Sequence, residues 1–156
     1  MTTITELEAR IIRIEDIEAI KMLKAKYWRS VDGKKWEQLA GCFTVDGVAI
    51  YGPNRLEGGK AIIEFFSERS NSGKASVVGI HQGHNPEIVF KDNSTARGTW
   101  QLFNYRIDRQ ENMATRNISY YDDEYARIGN QWLIKSTRTI TIMNEKFSLE
   151  NISVTF

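Results

Sequence analysis

Ala96-Arg97-Gly98-Thr99-Trp100-Gln101-Leu102-Phe103-Asn104-Tyr105-Arg106 reads as a strand, and its alternation decides how the rest of the chain is arranged. Successive strand residues point to opposite faces. One face carries Ala96, Gly98, Trp100, Leu102 and Asn104; the other carries Arg97, Thr99, Gln101, Phe103 and Tyr105. The first is the more apolar and reads as the interior, with Asn104 interrupting it. A buried amide needs hydrogen-bond partners. Asn104 is therefore a pocket amide or a strand-end residue with satisfied contacts.

The neighbouring segments extend the same pattern. Val77 to His84, Glu87 to Lys91, Thr115 to Ile128 and Gln131 to Met143 read as strands. Asp92-Asn93 and Gly129-Asn130 supply tight turns between them. In Gln131 to Ile142 one face reads Trp132, Ile134, Ser136, Arg138, Ile140 and Ile142. Arg138 so placed either anchors a substrate carboxylate or carbonyl, or forms a structural salt bridge, or is turned outward by a bulge. The face of Asn117, Ser119, Tyr121, Asp123 and Tyr125 is too mixed to orient. The tail from Asn144 has no assigned structure; Phe147, Leu149, Ile152, Val154 and Phe156 are candidates to pack on a neighbouring subunit.

The first half of the chain is helical. From residue 5 to about 30, Leu7, Ile11, Ile14, Ile17, Ile20, Leu23 and Tyr27 form an apolar stripe at three- and four-residue steps. Asp32-Gly33 breaks it, and Asp32 is placed to cap a short helix from Lys34 to Phe43. Val48 to Tyr51 is a short strand closed by the Gly52-Pro53-Asn54 turn; Gly58-Gly59 precedes a third helix, Lys60 to about Arg69, ended by Asn71-Ser72-Gly73. Segregated helices and strands predict an α+β fold: a strongly curved mixed or antiparallel sheet wrapped around the N-terminal helices, a cone with a deep apolar pocket.

Composition bounds the function. The 156 residues fit one domain, with a core over roughly 5–145. A net charge of +1 leaves no basic footprint for nucleic acid. The single Cys42 sits among apolar residues and reads as a packed thiol. No apolar run is long enough to span a bilayer, and Met1 to Arg10 carry no signal-peptide core, so a cytoplasmic protein without membrane contact is expected. Both histidines lie in Ile80-His81-Gln82-Gly83-His84-Asn85-Pro86-Glu87. Three apart on a strand, they face opposite ways and make a poor chelating pair, so neither a metal nor another cofactor is expected. There is no phosphate-binding glycine loop and no Gly-x-Ser-x-Gly elbow.

The run from Asp16 to Trp36, with its Tyr-x4-Asp-Gly segment, together with His81-Gln82-Gly83-His84-Asn85-Pro86-Glu87-Ile88 and Gly98-Thr99-Trp100, resembles the nuclear transport factor 2-like superfamily. Within it the chain is most similar to the SnoaL-like group that contains bile acid 7α-dehydratase, and more distantly to scytalone dehydratase. The resemblance implies a cone-shaped α+β barrel with a deep pocket, in a homodimer or homotrimer. It also implies a His-Asp pair that removes a proton beside a carbonyl while tyrosines polarise that carbonyl. Carried over by motif, His81 is the base, Asp32 its orienting carboxylate, and Tyr27 and Tyr51 the pocket tyrosines. Trp100, Asn104 and Arg138 are candidate substrate contacts. Asn104 stands where the bile acid enzyme is expected to carry an acid, and Thr141 where it is expected to carry an arginine. An amide cannot protonate a leaving group. The expected function is a cofactor-free lyase (dehydratase-like) or isomerase acting on a hydrophobic cyclic small molecule. The alternatives are a non-catalytic binding protein for a hydrophobic metabolite, marked by Asp32 out of reach of His81, and a structural role, marked by a cavity filled with side chains.

Overall fold

The computed structural model describes residues 2–71, 77–150 and 152. The elements in order are α1 (Ile4–Asp32), α2 (Trp36–Ala40), β1 (Phe43–Tyr51), β2 (Asn54–Glu57), α3 (Gly58–Asn71), β3 (Val77–Phe90), β4 (Thr95–Asp108), β5 (Met113–Ile128) and β6 (Gln131–Ser148). The strands form one sheet in the order β2-β1-β6-β5-β4-β3. Only β1 and β6 run parallel; the other pairs are antiparallel. The fold is α+β with a curved mixed sheet, as expected, but β2 and β3 are free edges and the sheet is open rather than a closed barrel.

α1 begins with a capping box: Thr3 Oγ1 accepts from the Glu6 N–H, and Glu6 Oε2 accepts from the Thr3 N–H. Its first turns stand clear of the domain, with Leu7, Ile11 and Ile14 exposed. Burial starts at Asp16, whose carboxylate accepts from Trp132 Nε1 at 2.8 Å and pairs with Arg127 at 3.2 Å. Beyond it Ile20, Leu23, Tyr27 and Trp28 pack on Trp100, Leu102, Tyr121, Tyr125 and Ile134 from the inner sheet face.

Two of the expected elements change. The helix expected over Lys34–Phe43 is shorter. Lys34 takes φ 54°, Gly41 closes α2, and Phe43 already opens β1. The tail continues β6 to Ser148, and Phe147 and Leu149 pack on Ile107 and Ala114 of their own sheet. Ile152 is exposed, while Ser72, Gly73, Val154 and Phe156 lie outside the described residues.

Bulges decide which strand residues face inward. The β5–β6 register passes from Glu124↔Ser136 to Tyr125↔Ile134, so Lys135 is the extra residue and the alternation flips there. Trp132 and Ile134 point inward before it, and Thr137, Thr139 and Thr141 after it. Arg138 is thereby turned outward, opposite Asp122, which corrects its placement on the apolar face. A second bulge at Ile142 flips the phase again and brings Asn144 inward.

Gly83 on β3 lies under the Trp28 ring. A Cβ there would meet Trp28 Cη2 at 1.8 Å. Gly83→Ala must push α1 off the sheet, and overpacking of this kind costs about 3 kcal/mol. A urea midpoint within error of the wild type would show that the helix yields freely.

The β3–β4 turn rests on Asp92. Its carboxylate accepts from the backbone N–H groups of Ser94 and Thr95 and from both hydroxyls, which holds its pKa down at about 2. Because the folded pKa is depressed from 3.8, this contribution is complete above pH 3.8 and is lost as pH falls through about 2. Asp92→Ala should therefore be less stable than the wild type at neutral pH. The gap between the two urea midpoints should narrow below pH 3.8; a constant gap would assign the effect to the turn backbone alone.

Candidate functional site

The C-terminal end of α1, the α2–α3 side and the inner sheet face enclose a cavity of about 560 Å³. Its helical side carries Val31, Trp36, Phe65 and Phe66. Its sheet side carries amides and hydroxyls: Asn104, Asn117, Ser119, Thr139, Thr141 and Asn144. The expected apolar lining thus holds on one side only. A flat ligand would meet rings on one face and hydrogen-bonding groups on the other.

Asp32 is the last residue of α1, and its carboxylate reaches β3. Oδ1 lies 2.5 Å from His81 Nδ1, and Oδ2 accepts the His81 backbone N–H at 3.0 Å. The helix-cap alternative for Asp32 is not realised: α2 starts without a side-chain cap. Two contacts to one residue fix both the chain and the ring of His81. With Asp32 ionised, the proton sits on Nδ1 and the Nε2 lone pair is left for the cavity, which His81 lines. His84, on the other face, is exposed, and its Nδ1 lies 3.2 Å from the Gln82 carbonyl. The strand period had separated the two histidines in this sense.

Tyr27 from α1 and Tyr51 from β1 meet with their hydroxyls 2.5 Å apart. One must donate to the other, so the pair keeps one O–H for a ligand oxygen. Burial raises both pKa values well above the ordinary tyrosine range, and Tyr121 beside them is raised too, again chiefly by burial. All three remain protonated near neutral pH, so toward a bound oxygen they are available as donors and not as bases. Asn104 lines the cavity on β4, directly across the ladder from His81.

Two expected contacts are not brought into the cavity wall. Arg138 faces outward for the reason given above. Trp100 is buried behind the wall: its Nε1 donates to the Tyr125 hydroxyl at 2.9 Å, and its ring meets Trp28 edge-on. That hydrogen bond joins a buried network. Tyr125 donates to Asp123 at 2.7 Å, Thr137 donates to Asp123 at 2.6 Å, and Lys24 pairs with Asp123 at 2.7 Å, with both charged side chains fully buried. The Lys24 ammonium lies 3.6 Å from the centroid of the Tyr121 ring. Sequence reasoning missed Tyr121, Asn117, Ser119, Thr139 and Asn144. The first three lie on the face that was too mixed to orient, and the last two are displaced by the bulges. Among the described residues no group of three or more His, Cys, Asp or Glu side chains could hold a metal ion, and no helix is long and apolar enough to cross a membrane.

The architecture has solved counterparts. A protein from Novosphingobium aromaticivorans assigned provisionally as a scytalone dehydratase matches with 20% identity over 87% of this chain and 90% of that one, at TM-score 0.79. The hexachlorocyclohexane dehydrochlorinase LinA-type3 from Novosphingobium barchaimii matches with 16% identity over 94% and 98%, at TM-score 0.82. An NTF2-like protein with a cystatin-like fold from Novosphingobium aromaticivorans matches with 20% identity over 91% and 92%, at TM-score 0.76. At these identities the likeness establishes the fold and not the reaction. The model of the SnoaL-like domain matches residues 13–138, a span that takes in Tyr27, Asp32, Tyr51, His81 and Asn104, and the chain belongs to that SnoaL-like family.

Proposed function

We propose that the protein is a cofactor-free lyase or isomerase that removes a proton beside a carbonyl of a cyclic small molecule. The observation that carries this reading is the 2.5 Å contact of Asp32 with His81 Nδ1 at the wall of an open cavity. His81 Nε2 takes the α-proton. The C–H electron pair becomes the enolate double bond, and the carbonyl electrons move to oxygen. That oxygen accepts the spare O–H of the Tyr27–Tyr51 pair. Where a double bond is conjugated with the enolate, the far carbon of that system takes the proton back from the His81 imidazolium, completing an isomerisation; where the β-carbon carries a leaving group, the enolate expels it with the bonding pair, completing an elimination. Asn104 can hold a hydroxyl by hydrogen bonds but has no proton to give, which favours isomerisation or a leaving group that departs unassisted. A bile acid substrate is not part of the proposal, because both positions expected to carry charge in that enzyme are neutral here, Asn104 and Thr141.

The test is deuterium exchange at the α-carbon of 2-tetralone, a neutral bicyclic ketone that fits the cavity, followed by proton NMR. Exchange no faster than in buffer would leave the protein as a binder of such molecules. Tyr51→Phe should slow exchange by about 10²-fold, the usual effect of losing one oxyanion donor. An unchanged rate would assign the donor role to Tyr121 instead.

A further inference from the structure

The inner sheet face carries a pattern that proton abstraction does not use. The ladders set His81, Asn104, Asn117 and Asn144 side by side on β3, β4, β5 and β6. One row away, Arg106, Thr115 and Lys146 are also cross-strand neighbours. Strands stand ~4.8 Å apart, so the row from His81 to Asn144 spans roughly 14 Å. All three asparagines line the large cavity, as do Arg106 and Thr115. Arg106 and Thr115 are shared with a smaller cavity of about 240 Å³, which Lys146 also lines.

The two cations of the second row differ from the others on the sheet. Arg97, Arg116, Arg127 and Lys135 elsewhere on the sheet all have carboxylate partners. Arg106 and Lys146 have no ion pair among the described residues. Of the acids nearby, Asp32 is held by His81, and Asp108 accepts from the backbone N–H groups of Gln110 and Glu111. Asp108 and Glu111 line the smaller cavity together with Arg106 and Lys146, and neither lines the large one. Lys34 adds another cation to the wall of the large cavity. Within the amide row, Asn117 Oδ1 accepts from Ser119 Oγ at 2.6 Å, and its Nδ2 faces the Met143 carbonyl at 3.5 Å. Asn104 and Asn144 have no side-chain partner among the described residues.

Two cations with no ion pair among the described residues flank a hydroxyl beside a row of amides, and such a surface suits an anionic oxygen group. We propose that the substrate is an elongated, oxygen-bearing molecule with an anionic group, tested here as a carboxylate, held at Arg106 and Lys146 while its carbonyl end reaches His81. This deepens the proposed function and rests on it. Arg106 and Lys146 are exposed, so the anion keeps part of its hydration and the attraction is screened by salt.

The experiment compares 6-hydroxy-2-naphthoate with its neutral isostere 6-hydroxy-2-naphthamide by calorimetry. At low ionic strength the wild type should bind the carboxylate about tenfold more tightly, as expected for a charge-assisted contact with two cations. The preference should shrink at high salt and vanish in Arg106→Gln/Lys146→Gln. Arg97→Gln, which alters the outer face, should retain it. Equal binding of both probes by the wild type overturns the proposal, as does a preference that survives the double substitution or an absence of binding by either probe. Exchange on 2-tetralone, which has no carboxylate, reports His81 independently. A failed anion preference with intact exchange therefore removes this proposal and leaves the reaction standing.

Discussion

His81→Ala should lower the rate of 2-tetralone exchange by about 10³-fold, within the range that one positioned general base contributes, and should leave the fold intact. The fold should survive because the His81 side chain is 22% exposed and lines a cavity rather than filling the core. The Asp32 carboxylate left behind is also 22% exposed, and it keeps its bond from the backbone N–H at 81. The orphaned charge is therefore hydrated and anchored. Asp32→Asn separates the two members of the pair. It retains an oxygen for the backbone N–H but no longer stabilises imidazolium, so it should cost less than His81→Ala, about 10²-fold. Unchanged exchange in His81→Ala would remove the base assignment altogether. Wild-type exchange in Asp32→Asn would leave His81 as a base that needs no orienting carboxylate.

The inward placement of Asn104 was legible because β4 keeps a clean alternation through that region, whereas on β3 the alternation set His81 and His84 on opposite faces and the family resemblance selected His81 as the inward one. The bulge in β3, between His84 and Glu87, falls after both histidines. Arg138 was misplaced because period-2 counting assumes an unbroken ladder, and the extra residue at Lys135 is set by packing against β5 rather than by any local sequence mark. The β5 face could not be oriented because Asp123 sits in the middle of it. Its partner Lys24 is 99 positions away on α1, outside the apolar stripe read for that helix. Neither polar residue explains itself alone; each makes sense as an interior residue only once the other is known. The same holds for the Tyr27–Tyr51 contact and for the three-asparagine row, which exist only through the ladder register.

The largest stability effect should come from that buried pair. Lys24→Met leaves Asp123 fully buried and uncompensated, and breaking a buried ion pair from one side costs about 3–5 kcal/mol. Thr137 and Tyr125 still donate to the carboxylate, which holds the loss toward the lower end. The pair itself contributes far less than the cost of breaking it. Burial pulls the Lys24 pKa below the ordinary lysine value, opposed by the attraction of Asp123, so desolvation already offsets much of the Coulomb gain. The double variant Lys24→Met/Asp123→Asn tests this reasoning. It removes both charges and keeps an amide for the Thr137 and Tyr125 hydroxyls, and it should recover at least half of the single variant's loss in guanidinium unfolding. Without recovery, the loss would belong to the lysine itself, to its stem in the core and its ammonium over the Tyr121 ring. The pocket tyrosines report the same event. Tyr121 lines the cavity on one side and meets Lys24 on the other, so a single variant that lets water reach Asp123 should disturb Tyr121 and slow exchange through the Tyr27–Tyr51 donors. A double variant restored in stability should regain that rate, which would place Lys24 and Asp123 in support of the cavity floor and outside the chemistry.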